Sequence, residues 1–319
     1  MNEARPSYRT RSSALVSLVM PVWNPRAEWL RAAVDSALAQ SGCTVELIVV
    51  DDGCDPPVSR LLEDVEDERL RLIRVPHGRV SRARNAGIAE ARGDYLRFVD
   101  CDDVIVSDST AHLLSLAGES DGVVTYGATV ICDEHLRPVS TIATPLEGRV
   151  AEDCLLNRFD TTIHSLLFPR RVVDAIGPWE PSIHVSQDWD YALRAFEYAQ
   201  VRGDDRVATY YRTHPGMNSR DVARGIEGYR LVVERYFERN PEQRESALRR
   251  RAEMRFHLFA AVQLATKLRR YREAAQHLRR AFALDPAGMI KTLPRHAAMP
   301  LLPAVGRGRR LLGRIRTGP

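Results

Sequence analysis

The first hundred residues alternate between apolar runs and amphipathic segments, and this alternation limits the available folds more than any other feature. Residues 14–22 form a continuous apolar run, which is typical of a strand buried on both faces of a parallel sheet. Further strands are predicted at residues 44–53, 69–75 and 95–103, with helical spacing between them. Strands that alternate with helices connect through right-handed crossovers, so the sequence predicts an α/β fold whose mostly parallel sheet is flanked by helices.

The pattern changes after residue 120, where shorter strands and helices replace the regular alternation. From about Asp221 onward almost every segment has helical spacing, and the helices on either side of residues 270–271 resemble one tetratricopeptide-like hairpin. A single hairpin cannot bury its own apolar face, so we expect it to pack on the main domain. The predicted divisions are a flexible N-terminus (1–13), a sheet domain (14–220), a C-terminal helical extension (221–291) and an arginine-rich tail (292–319).

Several classes of protein are excluded by what the sequence lacks. It has no GxGxxG after the first strand, no GxxxxGK[ST], no GxSxG and no HExxH, so it does not fit the dinucleotide-binding, P-loop, α/β-hydrolase or zincin families. The five cysteines are scattered and form no CxxC pair, which argues against a zinc site or a disulfide framework. A formal net charge of +4 over 319 residues does not indicate a nucleic-acid partner.

The chain also lacks the signals of a membrane or secreted protein. No apolar run reaches the length of a membrane-spanning helix. The first apolar run is too short for a secretory leader and is followed by Trp-Asn-Pro rather than by a small-residue cleavage site. We therefore expect a cytoplasmic protein.

Carboxylates gather where the fourth predicted strand ends. Asp100, Asp102 and Asp103 follow this strand directly, and like charges this close repel unless a positive group neutralises them. A solvated loop that caps the next helix and a divalent cation bound by oxygen ligands both explain the pattern. Parallel sheets place ligands beyond the carboxyl ends of their strands. Asn24 and the two acids of the DDG sequence at 51–53 are predicted to lie at such ends as well.

Two neighbouring segments have both a structural and a functional interpretation. The DDG sequence at 51–53 is either a turn or a pair of acceptors for a nucleobase or a ribose. Arg79, Arg82 and Arg84 lie at the start of a predicted helix, where unpaired cations oppose the helix dipole. They form either a solvated basic face or a binding site for a phosphate.

The second half offers further candidates at a helix start and a strand end. Asp188 and Asp190 lie near the start of a predicted helix and point about 200° apart, so they cannot share one role. One is expected to cap the helix, and the other is a candidate general base. His214 follows a predicted strand, and it becomes a candidate metal ligand if it lies beside an acidic site.

These signals occur in a fixed order, and the order resembles that of the family-2 glycosyltransferases with a GT-A fold. The resemblance covers roughly residues 14–220, and the matching segments are PVWN (21–24), VDDG (50–53), ARNAG (83–87), FVDCDD (98–103), QDWD (187–190) and YRTH (211–214). The chain departs from the family pattern at Trp23, Cys54, Cys101 and Gln187. None of these departures removes a predicted ligand or base, although Gln187 alters the charge beside Asp188.

The resemblance implies an inverting transfer of a hexosyl group from a nucleotide-diphosphate sugar, with UDP as the expected nucleotide, to an acceptor hydroxyl. It implies that Asp100 contacts the ribose, that Asp51 or Asp52 holds the base, and that Arg84 assists at the diphosphate. It also assigns four further residues to the nucleotide-binding surface, namely Pro21, Val22, Asn24 and Cys101.

The resemblance further implies that Asp102 and His214 bind Mn²⁺ or Mg²⁺, and that Asp188 accepts the proton of the acceptor hydroxyl. The acceptor is a saccharide, a lipid-linked molecule or a small molecule, and the sequence does not choose between them. Trp179 is predicted to be a stacking platform for an acceptor sugar ring.

Two other functions use a similar sheet. A sugar nucleotidyltransferase typically has an early glycine-rich phosphate loop, which this sequence lacks. A catalytically inactive GT-A domain that binds nucleotide or serves as a scaffold would not need the ligands and the base, all of which are present. The tail at 292–319 is either solvated or a weak contact with an anionic surface, such as the inner face of a membrane.

Overall fold

The computed structural model describes residues 14–118, 120, 122–144, 146–217 and 221–296. The strands within this part of the chain are β1 Leu15–Val22, β2 Thr44–Asp51, β3 Leu70–Arg74, β4 Tyr95–Phe98, β5 Val104–Ile105, β6 Val123–Cys132, β7 Pro138–Ile142, β8 Leu166–Pro169 and β9 Gln200–Arg212. The helices are α1 Ala27–Leu38, α2 Val58–Leu61, α3 Arg79–Glu90, α4 Ser109–Leu116, α5 Ala151–Leu155, α6 Arg170–Ile176, α7 Gln187–Tyr198, α8 Val222–Arg239, α9 Ala247–Thr266, α10 Tyr271–Leu284 and α11 Pro286–His296.

The described strands join into one sheet in the order β3-β2-β1-β4-β8-β6-β9-β5, with β7 paired to β6. The first four strands in this order are parallel, as the alternation of strands and helices predicts. The strands beyond β4 add antiparallel pairs and one further parallel pair, between β6 and β9. The predicted α/β fold with flanking helices is confirmed, and the sheet is mixed beyond its parallel half.

β1 lies at the centre of the parallel half and is buried on both faces. Seven of its eight residues are buried. Leu18 and Met20 pack with α1 on one face, whereas Val19 belongs to the apolar cluster on the other face. A Cβ atom at Gly87 of α3 would lie 2.4 Å from Cγ1 of Val19, so only glycine lets this helix approach the sheet so closely. Truncating a side chain such as Leu18 to alanine costs about 2–5 kcal/mol in cores of this kind.

The C-terminal helices continue the core of the sheet domain. Tyr229, Val232 and Phe237 of α8 are at most 5% exposed, and they share an apolar cluster with α7 and β8. α9 packs against α8 and forms a helical hairpin with α10, which is the hairpin that the sequence predicts. The apolar core therefore crosses residue 220, where the sequence predicts a domain boundary, and the boundary itself stays a prediction.

Several short elements differ from the sequence prediction. The helical segment predicted between the second and third strands is only the four residues of α2, and β5, α4 and β8 were not predicted. α11 extends into the segment predicted as a tail, and the rest of that tail, like the predicted flexible N-terminus, lies outside the described residues. No described helix has the length and apolar character needed to cross a membrane.

Candidate active site

The carboxyl ends of β1, β2 and β4 meet at one edge of the sheet. The register pairs Val22 with Asp51, and the backbone N–H of Val99 donates to the carbonyl oxygen of Val19 at 3.0 Å. The ends of three parallel strands are therefore adjacent. The prediction that Asn24, the DDG acids and the acids after β4 lie at one sheet edge is confirmed.

Asp51 is a turn residue in this structure. Asp51 is 1% exposed. Its carboxylate accepts hydrogen bonds from the backbone N–H groups of Cys54 at 2.7 Å and Val58 at 3.1 Å, and from the guanidinium of Arg74 at 3.1 Å. Burial would raise the pKa of Asp51, but these bonds outweigh it and hold the pKa below its ordinary value. The structural interpretation of the DDG sequence therefore accounts for this carboxylate.

Asp52 holds the start of α3. Its Oδ1 accepts the backbone N–H of Gly78 at 2.7 Å, and its Oδ2 accepts that of Arg79 at 2.9 Å and lies 2.9 Å from Nδ1 of His77. The ring of Trp23, a residue that is 55% exposed, stacks on His77 with 5.0 Å between the ring centroids. An exposed aromatic pair joined to Asp52 suits the flat face of a nucleobase.

The residues at the end of β1 shape the same edge. Pro21 and Val22 are buried, so their side chains face the interior rather than a ligand. The carbonyl oxygen of Val22 accepts the backbone N–H of Asp52 at 2.9 Å. Asn24 is exposed, has a left-handed backbone with φ of 43°, and accepts the N–H of Asp55 at 3.1 Å through Oδ1. Among these three predicted residues, Asn24 alone has a side chain open to solvent.

The start of α3 borders a cavity of about 310 Å³ whose lining includes Arg79 and Arg82. The backbone N–H groups of Gly78 and Arg79 already bond to Asp52, so these donors are used within the protein. The interpretation as a solvated basic face therefore accounts for Arg79 and Arg82. The side chain of Arg84, by contrast, is buried and does not line this cavity.

Arg84 extends from α3 to the acids that follow β4. Its Nη2 donates to Oδ1 of Asp100 at 2.8 Å, and its guanidinium lies 4.3 Å from the centroid of the Trp179 ring. Trp179 is fully buried and stacks on Tyr191 with 4.1 Å between the ring centroids. The prediction that Trp179 is a platform for a sugar ring is wrong, because this ring is covered on both faces and supports Arg84 instead. Nε and Nη1 of Arg84 make no hydrogen bond within the described chain.

A buried histidine, His164, lies between two of the acids. Its Nε2 is 2.9 Å from Oδ2 of Asp100, and its Nδ1 is 3.0 Å from Oδ2 of Asp103. Burial would lower the pKa of His164, but the two carboxylates outweigh it and raise the pKa above its ordinary value. Burial raises the pKa of Asp103, whereas Arg84 and His164 overcome burial at Asp100 and lower its pKa. The ring of His164 thus lies between Asp100 and Asp103, and its raised pKa favours the protonated form.

Asp102 faces a different histidine, the predicted partner His214. Oδ2 of Asp102 lies 3.0 Å from Nε2 of His214, although the residues are 112 positions apart in the chain. The ring of Trp29 packs against His214 with 4.8 Å between centroids, and the N–H of Gly216 donates to Nδ1 of His214 at 3.2 Å. The structure therefore brings the two predicted metal ligands together. Cys101 lies between Asp100 and Asp102 in the sequence. Burial raises the pKa of its thiol, which stays neutral.

The donor set of Asp102 and His214 fits a divalent cation. A carboxylate oxygen and an imidazole nitrogen are both ligands for Mn²⁺, and both side chains are only partly buried. Ligation through Nε2 requires the proton of His214 on Nδ1, so it costs the bond from Gly216. The trio of Asp100, Asp103 and His164 also brings its ligand atoms within 4.8 Å. That trio fits a cation less well, because the raised pKa of His164 favours a protonated ring, which cannot bind a metal through either nitrogen.

The two acids at the start of α7 have opposite environments. Asp188 is exposed, and its Oδ1 accepts the N–H of Trp189 at 2.9 Å. Asp190 is 1% exposed and lies within 4 Å of the guanidinium nitrogens of three arginines, namely Arg194, Arg235 and Arg239.

The charge of Asp188 acts on the same buried tyrosine as the charges of the acids after β4. Burial raises the pKa of Tyr211 well above its ordinary value, and the charges of Asp103, Asp102, Asp100 and Asp188 add to this effect.

The chain is similar to known proteins in both sequence and fold. The sequence model described as glycosyl transferase family 2 matches residues 17–176, which is half of the chain. The chain belongs to glycosyl transferase family 2. The family match ends inside α6, so the helices from α7 onward lie outside it.

Curated relatives of the chain are named as glycosyltransferases. An uncharacterized glycosyltransferase of Rickettsia felis is 26% identical over 220 residues, which cover 66% of this chain and 36% of that protein. One of Rickettsia prowazekii is 26% identical over 225 residues, covering 68% of this chain and 70% of that protein. The chain thus spans only about a third of the length of the Rickettsia felis glycosyltransferase.

Solved structures of a Staphylococcus aureus protein, TarS, share the fold. A TarS fragment crystallised in complex with UDP-GlcNAc has a TM-score of 0.54 at 14% identity, and the match covers 85% of this chain and 90% of that one. Another crystal structure of the fragment has a TM-score of 0.55 at 15% identity, with the same coverage of both chains. The likeness confirms the GT-A fold predicted from the motifs of this family-2 glycosyltransferase.

Two buried residues of this glycosyltransferase were not predicted as part of the site. His164 lies two residues before β8, and a histidine directly before such an apolar run is the one signal that could have drawn attention to it. Arg97 is a fully buried arginine inside β4 with no neighbouring acid in the sequence. It donates five hydrogen bonds of 2.8–3.2 Å, which go to the carbonyl oxygens of His164 and Ala208 and the hydroxyls of Ser109, Thr110 and Thr209.

Proposed function

We propose that this chain transfers a hexosyl group from a nucleotide-diphosphate sugar to an acceptor hydroxyl, with inversion and with the help of Mn²⁺ or Mg²⁺. The observation that carries the proposal is the contact of Asp102 with His214 at the sheet edge where the other acids gather. Family membership supports the reaction class. The TarS fragment in complex with UDP-GlcNAc supports a UDP-sugar as the donor.

The nucleotide would bind along the ends of β1, β2 and β4. The stacked pair of Trp23 and His77 offers a flat surface for the base, and Asp52 lies beside it. Asp100 is partly exposed and fixed by two cationic partners, which suits a carboxylate that accepts hydrogen bonds from a ribose. The unpartnered Nε and Nη1 of Arg84 are donors of the kind that a diphosphate oxygen accepts.

Asp102 and His214 would hold the cation next to this nucleotide. When bound, it neutralises the negative charge that develops on the departing diphosphate, so that group leaves without protonation. The protein's own contribution is orientation: Trp29 fixes the ring of His214, and His164 fixes Asp100.

Asp188 would act as the general base. It is exposed to solvent and has no ion-pair partner among the described residues, so its carboxylate can accept a proton from an acceptor hydroxyl. The acceptor oxygen then attacks the anomeric carbon, and the bond from that carbon to the diphosphate oxygen breaks with its electron pair. One displacement of this kind inverts the anomeric configuration and needs no covalent intermediate.

A donor screen tests the proposal. The full chain is incubated with Mn²⁺ and each of a panel of nucleotide sugars, and the release of nucleoside diphosphate by slow hydrolysis is measured. We expect release from one donor, and we expect a chelator to abolish it. His135→Gln is the matched control for the ligand variant His214→Gln, because His135 is exposed and lies on the loop before β7.

The screen also separates the two alternative functions. A nucleotidyltransferase would instead form a nucleotide sugar from a nucleoside triphosphate and a sugar 1-phosphate, with release of pyrophosphate. An inactive nucleotide-binding scaffold would gain thermal stability from a nucleotide and release no product from any donor. Either result would overturn the proposed transfer.

A further inference from the structure

An apolar stripe runs along the outer face of α10. Tyr271, Leu278 and Phe282 are 65%, 37% and 56% exposed, and their spacing puts them within about 40° of one another around the helix axis. Ala274 and Ala281 lie about 60–80° from Tyr271 around the same axis and are buried in the packing against α9. The larger apolar side chains of α10 therefore lie beside the packed face and stay exposed.

Exposed apolar side chains concentrate in this part of the molecule. Five of the nine large hydrophobic residues that are exposed in the described chain lie between residues 268 and 290. Besides the stripe, they are Leu268 before α10 and Ile290 in α11. Single exposed hydrophobic residues are normal, but a cluster of this kind marks a surface that contacts something else.

Basic residues are concentrated in and beside α10. Residues 267–291 contain seven lysines and arginines and only two acids, whereas the whole chain has a net charge of +4. Arg272 and Arg279 are exposed and lie about 80–100° from the stripe, along one flank. Of the seven cations, only Arg270 has an ion-pair partner within the described chain, which is Glu273.

We propose that the stripe of Tyr271, Leu278 and Phe282 docks on the surface of an anionic lipid bilayer, with Arg272 and Arg279 at the headgroups. An amphipathic helix with an apolar face and basic flanks lies in a membrane interface, where the apolar face enters the acyl boundary and the arginines reach anionic lipids. A second copy of this chain is a poorer occupant, because it would bring two sets of unpaired arginines together.

Vesicle binding tests the docking surface. The full chain is mixed with phosphatidylcholine vesicles that contain or lack phosphatidylglycerol, and the bound fraction is measured by co-flotation at low and high salt. We expect binding to the anionic vesicles that weakens as salt increases. The double variant Leu278→Ser/Phe282→Ser should bind at least about tenfold more weakly, since burial of apolar groups is lost. The double variant Arg272→Gln/Arg279→Gln should lose about fivefold for each arginine.

Two controls keep the result specific. Val139→Ser removes a side chain that is 68% exposed on β7, far from the stripe in sequence, and should bind as the wild type does. Circular dichroism should show the same thermal unfolding for all variants, because the changed side chains are exposed. The assay contains no sugar donor, so its outcome is independent of the proposed transfer.

Three results would overturn the proposal. The first is wild-type protein that stays unbound with anionic vesicles. The second is equal binding by the wild type and Leu278→Ser/Phe282→Ser, which would move the contact to another part of the chain. The third is a wild-type dimer in analytical ultracentrifugation that the same variant converts to a monomer without any change in vesicle binding, which would make a second copy the occupant.

Discussion

At the residue scale, the two acids of α7 differ in what surrounds them rather than in their position. Asp188 is exposed, whereas Asp190 is buried among arginines that belong to α7 and α8. Sequence reasoning could place both acids on one helix turn, but it could not show which one has its charge already neutralised. The structure therefore separates a candidate for chemistry from a residue that joins two helices.

We predict that Asp188→Asn reduces sugar transfer by about 10²- to 10⁴-fold, because removal of a general base has this cost. Binding of nucleotide and Mn²⁺ should be unchanged, since Asp188 is not among the proposed ligands. Steady-state kinetics with a saturating donor and isothermal titration calorimetry measure the two effects. Transfer at a rate near that of the wild type would rule out Asp188 as the base.

Asp190→Asn is the matched variant, and it should lower stability rather than the chemical step. Breaking a buried ion-pair network by removing one partner costs about 3–5 kcal/mol. Urea unfolding should show this loss, while the remaining folded protein should keep its rate of transfer. If Asp190→Asn is as stable as the wild type but inactive, the roles of the two acids are reversed.

We predict that Asp102→Asn abolishes the dependence of nucleotide affinity on Mn²⁺. Asparagine keeps the shape of the side chain but removes the charge that the cation would need. Titration of UDP into the protein with and without Mn²⁺ measures the effect, and His214→Gln should reduce it as well. An unchanged gain in affinity from Mn²⁺ in both variants would exclude these two residues as ligands.

At the scale of elements, the packing of α10 on α9 includes a contact between two histidines. Nδ1 of His257 lies 2.9 Å from Nδ1 of His277, and the ring of Phe256 packs against both. Burial, together with the charges of His277 and Arg280, lowers the pKa of His257 to about 4. Burial and Arg280 also lower the pKa of His277, while Glu273 acts in the opposite direction. The contact thus requires that at least one ring is neutral.

We predict that the packing of α10 weakens as the pH falls from 7 to 5. The pKa of His257 is about 6.5 in the unfolded chain and about 4 in the folded one. Over this interval the unfolded state therefore gains a proton that the folded state does not. The loss is about 1 kcal/mol after allowance for the half-buried position. Hydrogen exchange of the α10 amides measures it, and His257→Gln should make the exchange less dependent on pH. An equal pH dependence in the variant would contradict the prediction.

The elements show where sequence reasoning succeeds and where it stops. β1 to β4 and their helices were predicted because each one carries its own periodic pattern over several residues. β8 and β5 are four and two residues long, so they have no pattern that distinguishes them from a loop. Their pairing partners lie far away in the sequence, and only the folded sheet reveals them.

The same limit applies to the site. Asp102 and His214 were predicted from the order of motifs, and the fold brings them together. His164 was missed because its two acidic partners are more than sixty positions earlier, and nothing near it in the sequence requires a charged neighbour. Trp179 was placed wrongly because an aromatic side chain in a polar segment can be covered by other helices, here α7 through Tyr191 and α3 through Arg84.

At the scale of the whole molecule, the family match ends at residue 176, but the core does not. Side chains of α8 and α9 belong to the apolar cluster that includes one face of the sheet, and Arg235 and Arg239 of α8 balance the charge of Asp190. The helices beyond the matched region therefore complete the fold of the catalytic part.

We predict that a chain ending at residue 220 does not fold cooperatively. It lacks Tyr229, Tyr236 and Phe237, which are at most 5% exposed, and the loss of each such aromatic side chain costs about 3–5 kcal/mol against a total stability of about 5–15 kcal/mol. Near-ultraviolet circular dichroism and urea unfolding measure the outcome, and a chain ending at residue 296 is the control. A native-like, cooperative transition in the shorter chain would show that the sheet domain is independent.

The fully buried Arg97 has a consequence for the order of events during synthesis on the ribosome. Its most distant acceptor, the hydroxyl of Thr209, is 112 residues further along the chain. At translation rates of about 5–20 residues per second, that hydroxyl is made about 6–20 s after the arginine. The strands from β1 to β4 have emerged by then, yet one guanidinium among them must stay hydrated until β9 arrives. We therefore expect the nascent half-sheet to complete its packing around β4 only after β9 has left the exit tunnel.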